Sequence, residues 1–115
     1  MSEEFIPEKE GVIEKDNIMY VSGPRSIARL ALALANETRA KIIELLATGP
    51  KDLDYIAREI KQSKANISSQ IRRLEEVGIV SSVYMPGERG IKKYVELRIN
   101  KIVFTLLRKQ EEAKT

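Results

Sequence analysis

Apolar residues recur along most of this chain at helical spacing and then switch to alternation, and the changes of period outline its elements. Between Arg25 and Ala35, Ile27, Leu30, Ala31 and Leu34 fall at i, i+3, i+4, i+7 after the break Ser22-Gly23-Pro24, which predicts a first helix. Asn36 is placed to cap a second helix carrying Ile42, Ile43, Leu45 and Leu46 and ending at Gly49-Pro50. Asp52 caps a short third helix with Leu53, Ile56, Ala57 and Ile60 on one face. After Lys61-Gln62, Ser63 caps a fourth that runs to about Val77 and stops at Gly78. Beyond Gly78, Ile79 to Met85 and Ile91 to Ile99 alternate and are rich in Val, Ile and Tyr, so they predict a hairpin with Pro86-Gly87-Glu88-Arg89-Gly90 as its loop. Asn100 is placed to cap a last helix in which Ile102, Val103, Leu106 and Leu107 form a stripe that Phe104 widens. So broad an apolar face on so small a chain predicts a partner surface. Upstream, Val12-Ile13-Glu14 and Ile18-Met19-Tyr20-Val21 flank Lys15-Asp16-Asn17 and predict a short hairpin or one extended arm, and residues 1–11 an acidic, mobile segment.

The order helix, helix, short helix, turn, helix, hairpin, helix describes a winged helix-turn-helix, a mainly α chain with a β-hairpin wing (α+β). Such a unit lays the second helix of the pair in the DNA major groove and the hairpin on flanking backbone or minor groove. Turning the fourth helix by 100° per residue gathers Ile67, Ile71, Leu74 and Gly78 on one side and Ala65, Ser68, Ser69, Arg72, Arg73 and Glu76 on the other. Small residues let a helix backbone approach a groove, serines can bond bases or phosphates, and arginine can read guanine with two bonds. Free amides near Ser63 and Lys64 suit a phosphate. With Asn66 and Gln70 on the same helix and Arg89, Lys92 and Lys93 on the wing, these are the candidate DNA-binding residues. For the helix alone, an amphipathic surface helix with a polar outer face explains the pattern as well, and the basic wing tips the balance.

Charge adds to this picture through its distribution. The net charge is +3, yet Met1 to Tyr20 holds six acids against two lysines, whereas Lys61 to Tyr94 holds seven cations against three acids. A basic sector over a third of the chain suits a polyanion. Histidine and cysteine are absent, which excludes disulfides, thiolate or imidazole metal sites and the commonest catalytic pairs. No enzyme activity, cofactor or metal is expected. With no apolar run near the roughly 20 residues of a membrane span, and an acidic start where a signal peptide is basic, the expected compartment is the cytoplasm.

Leu34-Ala35-Asn36-Glu37-Thr38-Arg39-Ala40-Lys41-Ile42-Ile43-Glu44-Leu45-Leu46 resembles the second-helix signature of the arsenic-repressor (ArsR) type of winged-helix regulators. Ile67-Ser68-Ser69-Gln70-Ile71-Arg72-Arg73-Leu74-Glu75-Glu76-Val77-Gly78-Ile79-Val80 is similar to that family's recognition helix, and Gly90-Ile91-Lys92-Lys93-Tyr94-Val95-Glu96-Leu97 to its second wing strand. The resemblance covers about Arg25 to Leu107. It implies operator binding and homodimerisation through the first and last helices, with Ile27, Leu30, Ala31, Leu34, Ile102, Val103, Leu106 and Leu107 in the interface. The family's metal-sensing cysteines are replaced by Asp52-Leu53-Asp54-Tyr55-Ile56, and its usual histidine by Gln70, so a metal or pH sensor is not implied.

The chain thus divides into an acidic N-terminal extension at 1–22, a winged helix-turn-helix domain at 23–98 and a C-terminal dimerisation helix at 99–115. The expected function is sequence-specific binding of double-stranded DNA by a homodimeric transcriptional regulator. The alternatives are an architectural or partition-type protein that coats DNA, and a winged-helix module that binds protein.

Overall fold

Asp16 and Asn17 both adopt left-handed backbone, at φ 54 and 63, which is what a two-residue type I′ turn requires. The N-terminal apolar runs therefore close into a hairpin, β1 (Gly11–Lys15) antiparallel to β2 (Ile18–Ser22). The structure, a computed structural model, describes residues 9–107. Four helices follow, α1 (Pro24–Leu34), α2 (Glu37–Leu46), α3 (Leu53–Ile60) and α4 (Lys64–Glu76), with the short β3 (Lys51–Asp52) before α3. The wing strands are β4 (Val80–Gly87) and β5 (Gly90–Leu97), and β6 (Lys101–Thr105) comes last.

The helix starts fall where polar residues can satisfy free backbone amides. Asn36, Asp52 and Ser63 each accept the N–H of the residue three positions on. Lys61 at φ 63 closes α3, and Gly78 at φ 82 follows the end of α4. The faces read from periodicity converge: Leu30, Ile42, Leu46, Ile56, Ile67, Leu74 and Ile79 are fully buried together. Each such side chain contributes roughly 1.5–3 kcal/mol of burial. This core fixes α3 against α4 and seats the wing beside α4. The wing strands run further than expected. Pro86 and Gly87 belong to β4, which lies at the sheet edge where proline's missing N–H is tolerated. Only Glu88 and Arg89 form the turn.

Two expectations are corrected. The segment after Asn100 is a strand where a dimerisation helix was expected: β6 pairs in parallel with β2, from Ile18 opposite Lys101 to Ser22 opposite Thr105. Ile102, Val103 and Thr105 are β-branched, β2 offers an open edge, and alternation sends Ile102 and Phe104 onto the core. A short apolar run does not tell these states apart by spacing alone. The described residues therefore hold four helices, with no fifth to pair with the first, and the remainder of the expected helix, residues 108–115, lies outside them. The ends are also joined, because β1, β2 and β6 form one sheet while β3, β5 and β4 form the other.

The second correction concerns the acidic arm, whose residues 1–8 lie outside the described chain. Its last residues are tied down. Ser22 Oγ donates to the Lys9 carbonyl at 2.9 Å, and Glu10 Oε1 accepts the Arg25 N–H at 3.0 Å. Glu10 thereby does from a distance what Gly23, at the N-cap of α1, has no side chain to do. A Cβ on Gly23 would lie 2.1 Å from Glu10 Cγ, so the close approach requires glycine.

Candidate nucleic-acid interface

The buried stripe Ile67, Ile71, Leu74 turns the opposite side of α4 outward. Lys64, Ala65, Asn66, Ser69, Arg72 and Arg73 are exposed there, and Ser68 is half-buried. Ser63 Oγ accepts the Asn66 N–H at 3.1 Å, which leaves its own proton free to donate. Two candidates are committed elsewhere. Asn66 donates its amide to Gln62, which donates in turn to Thr38 Oγ1 at 3.0 Å. Gln70 Oε1 accepts from Arg39 Nη1 at 2.6 Å and so faces α1 and α2 rather than a ligand.

The arginines of α4 part company. Arg72, with Ser68 and Glu75, lines a cleft of about 170 Å³ whose other wall is Lys93 and Val95 of the wing. Arg73 lines a separate cleft of about 120 Å³ against α1, beside Arg29, Arg39 and Glu76. In that second cleft the arginines already serve helix ends: Arg29 Nη2 donates to the Glu76 carbonyl at 2.8 Å. The wing divides its cations in the same way. Register sets Lys93 opposite Tyr84 and Lys92 opposite Met85, so the two lysines point to opposite faces of the ribbon. Arg89 is exposed in the turn.

Both lysines that sequence pattern assigns to phosphate beside α3 meet acids at its first turn. Lys92 Nζ lies 3.0 Å from Asp52 Oδ2, and Lys64 Nζ lies 2.5 Å from Asp54 Oδ1. The Tyr55 N–H, more than Lys92, holds the Asp52 carboxyl below the usual value, and Asp52 raises Lys92 in return. A depressed carboxyl contributes stability above its ordinary range and loses it as pH falls through the folded value. The pairs also lower the positive charge offered to DNA. Asp52→Asn with Asp54→Asn keeps a competent cap, and it is expected to tighten binding to a random duplex several-fold. The slope of log affinity against log salt should steepen by about one unit for each lysine freed onto phosphate. Fluorescence anisotropy across a salt series measures both, and an unchanged slope would show that these lysines do not contact phosphate.

The expected dimer residues range from buried to exposed in the protomer. Leu30 is fully buried in the protomer core and so is not available to a partner surface, whereas Ile27, Leu34 and Ile102 are partly buried against that core. Val103 is half-buried in β6, whereas Ala31, Leu106 and Leu107 are exposed. The outward apolar row of α1 is Ala28, Leu32 and Ala35, with Leu32 at 68% exposure. Its i, i+4, i+7 spacing is visible in the sequence.

Residues 36–82 match the model of bacterial regulatory proteins of the arsR family. From the start of α2 into β4, the chain is similar to the helix-turn-helix of that family. A curated relative of this arsR-type unit, an uncharacterized HTH-type transcriptional regulator of Methanocaldococcus jannaschii, is 29% identical over 69 residues, 59% of this chain and 73% of its own. Among solved structures, a homodimeric winged helix-turn-helix DNA-binding domain from Mycobacterium bovis, described as a possible ArsR-family transcriptional regulator, superposes with a TM-score of 0.55 at 28% identity. That match covers 63% of each chain, under two thirds of the domain's length. The reduced transcriptional regulator YodB of B. subtilis superposes at 0.56 with 24% identity over 65% of this chain and 72% of its own, which shows the shared fold. In the arsR-type unit here, no group of three or more His, Cys, Asp or Glu that could hold a metal occurs among the described residues.

Proposed function

We propose that this chain is a transcriptional regulator that binds double-stranded DNA sequence-specifically as a homodimer, with α4 in the major groove and the wing on flanking backbone or minor groove. The observation that carries this reading is the shared concave surface on which Ser68 and Arg72 of α4 face Lys93 of the wing. The homodimeric DNA-binding domain of Mycobacterium bovis supports both DNA binding and pairing. We assign it no enzymatic activity and place it with the DNA in the cytoplasm; among the described residues no helix is long and apolar enough to cross a membrane. Its organisation is then an N-terminal hairpin that shares a sheet with the C-terminal strand, around an arsR-type core.

Footprinting on a duplex enriched by the protein from a random-sequence pool tests the reading. Discrete protections arranged as an inverted repeat are expected, because two-fold related helices meet two half-sites about one DNA turn apart. Continuous coverage would instead support a DNA-coating protein. The commitment of Asn66 and Gln70 to internal partners favours that second reading, since it leaves Arg72 and Arg73 as the long readers on α4.

The exposed row of α1 and the segment after β6 are the surfaces we assign to pairing. Leu32→Lys combined with Leu106→Lys is expected to yield monomers by sedimentation velocity and to weaken operator binding at least tenfold. An unchanged dimer would remove both residues from the interface.

A further inference from the structure

The wing carries its most exposed large side chains where a solvated ribbon would carry charge. Ile91 is 77% exposed and Tyr84 66%. Register sets Pro86 opposite Ile91 and Tyr84 opposite Lys93. Because side chains alternate along a strand, these four share the sheet face that nearer the core buries Val80 and Val95. They are the outward continuation of the surface on which Lys93 meets Ser68 and Arg72. Scattered exposed apolar residues need no explanation, but a contiguous set beside a ligand surface does.

We propose that Tyr84, Pro86 and Ile91 form an apolar ridge that presses on the deoxyribose walls of the minor groove next to the major-groove segment held by α4. The inference rests on the DNA-binding reading and adds residues to it. Charge argues for this occupant over a protein. Lys93 lies within the ridge and Arg89 in the turn beyond it, an arrangement that suits a target with anionic rims and apolar walls. The minor groove has both, and proteins that enter it set aliphatic and proline side chains there. A B-form minor groove is only about 6 Å wide, so side chains of the tip would enter, not the ribbon. Such contacts release no counterions, so they add affinity without adding salt dependence.

The test uses the full chain and the duplex it enriches from a random pool. Ile91→Ser with Tyr84→Ser is expected to lower affinity about tenfold while leaving the salt slope within half a unit of wild type. Lys93→Ala should flatten that slope by about one unit. Hydroxyl-radical footprinting should show minor-groove protection lost at the flanks and retained under α4. Tyr84→Phe, which keeps the ring, should restore binding to within twofold when Ile91 is intact. Thermal melting and sedimentation of each variant accompany the titration. Unchanged affinity and flank protection in the double variant, with Arg72→Ala still weakening binding, would overturn the ridge and leave the DNA reading standing. Loss of the dimer in the double variant would assign the ridge to a protein interface and overturn the proposal. If the wild-type chain enriches no duplex, both the ridge and the DNA reading fail.

Discussion

Arg72→Ala is expected to weaken binding to the preferred duplex by ~1–3 kcal/mol and to relax its sequence preference, while scrambled DNA loses far less. Arg72 is exposed on the outer face of α4 and lines the cleft shared with the wing. A guanidinium there can reach a guanine edge with two bonds, and that energy exists only on the right base pair. Lys93→Ala is the contrasting variant. Its ammonium lies across the cleft on the wing, and in the proposed complex it would meet phosphate, so its loss should weaken both duplexes equally and flatten the salt slope by about 0.9 units. Lys92 is expected to contribute less than Lys93, because Asp52 already holds it at 3.0 Å. Titrations of both variants on preferred and scrambled duplexes at several salt concentrations separate reading from clamping. If Arg72→Ala lost affinity equally on the two duplexes, Arg72 would be a phosphate contact and sequence would be read elsewhere.

The parts of this molecule that were legible in the sequence are those dictated locally. Caps at Asn36, Asp52 and Ser63 and the stop at Gly78 follow from unsatisfied backbone groups within one turn, and each lies where composition placed it. The outer face of α4 was legible for the same reason, since rotation per residue is a property of the helix alone. Features that depend on distant partners are not legible in this way. Residues 101–105 become a strand because β2 lies 80-odd residues upstream with an open edge, and no periodicity within the segment reports that. Leu30 was assigned to a partner surface because spacing identifies an apolar face without saying what covers it; inside the protomer the core does. Gln70 was a DNA-binding candidate by its place on the fourth helix, yet Arg39, 31 residues away, draws it in. The acids facing Lys64 and Lys92 were visible as an N-cap and a solvent-facing neighbour, but their grip on those lysines requires the fold. Tyr84 and Ile91 were hidden by their type, since Tyr and Ile in an alternating strand read as core.

Of the two buried polar residues described, Ser22 and Arg39, Arg39 is the one whose loss should most damage the fold. It is 7% exposed, and its guanidinium spans three acceptors: Nε donates to the Ala33 carbonyl at 2.6 Å, Nη2 to the Leu32 carbonyl at 3.1 Å and Nη1 to Gln70 Oε1 at 2.6 Å. The two carbonyls belong to the last turn of α1, where intrahelical donors run out, and Gln70 belongs to α4. One side chain from α2 thus ties the end of the helix that carries the outward apolar row to α4, the helix proposed for the major groove. Arg39→Leu fills most of the space yet takes the guanidinium donors from the Ala33 carbonyl and Gln70 Oε1, while the Leu32 carbonyl keeps the Ala35 N–H at 3.2 Å. At ~1–3 kcal/mol for each unsatisfied group, reduced by relaxation and by water entering, the variant should lose about 2–4 kcal/mol in urea unfolding. Arg39→Lys should recover only part of this, because one ammonium cannot span a fork of three acceptors. Every one of these partners is neutral, so the loss should be nearly the same in low and high salt, unlike that of an exposed ion pair. A loss that shrinks as salt rises would mean that Arg39 acts through charge, and a loss under 0.5 kcal/mol would mean that the bracket between α1 and α4 adds nothing to stability. Gln70→Leu completes the cycle: it should cost less in unfolding than Arg39→Leu, and the two together should be non-additive, as expected for groups that share one bond.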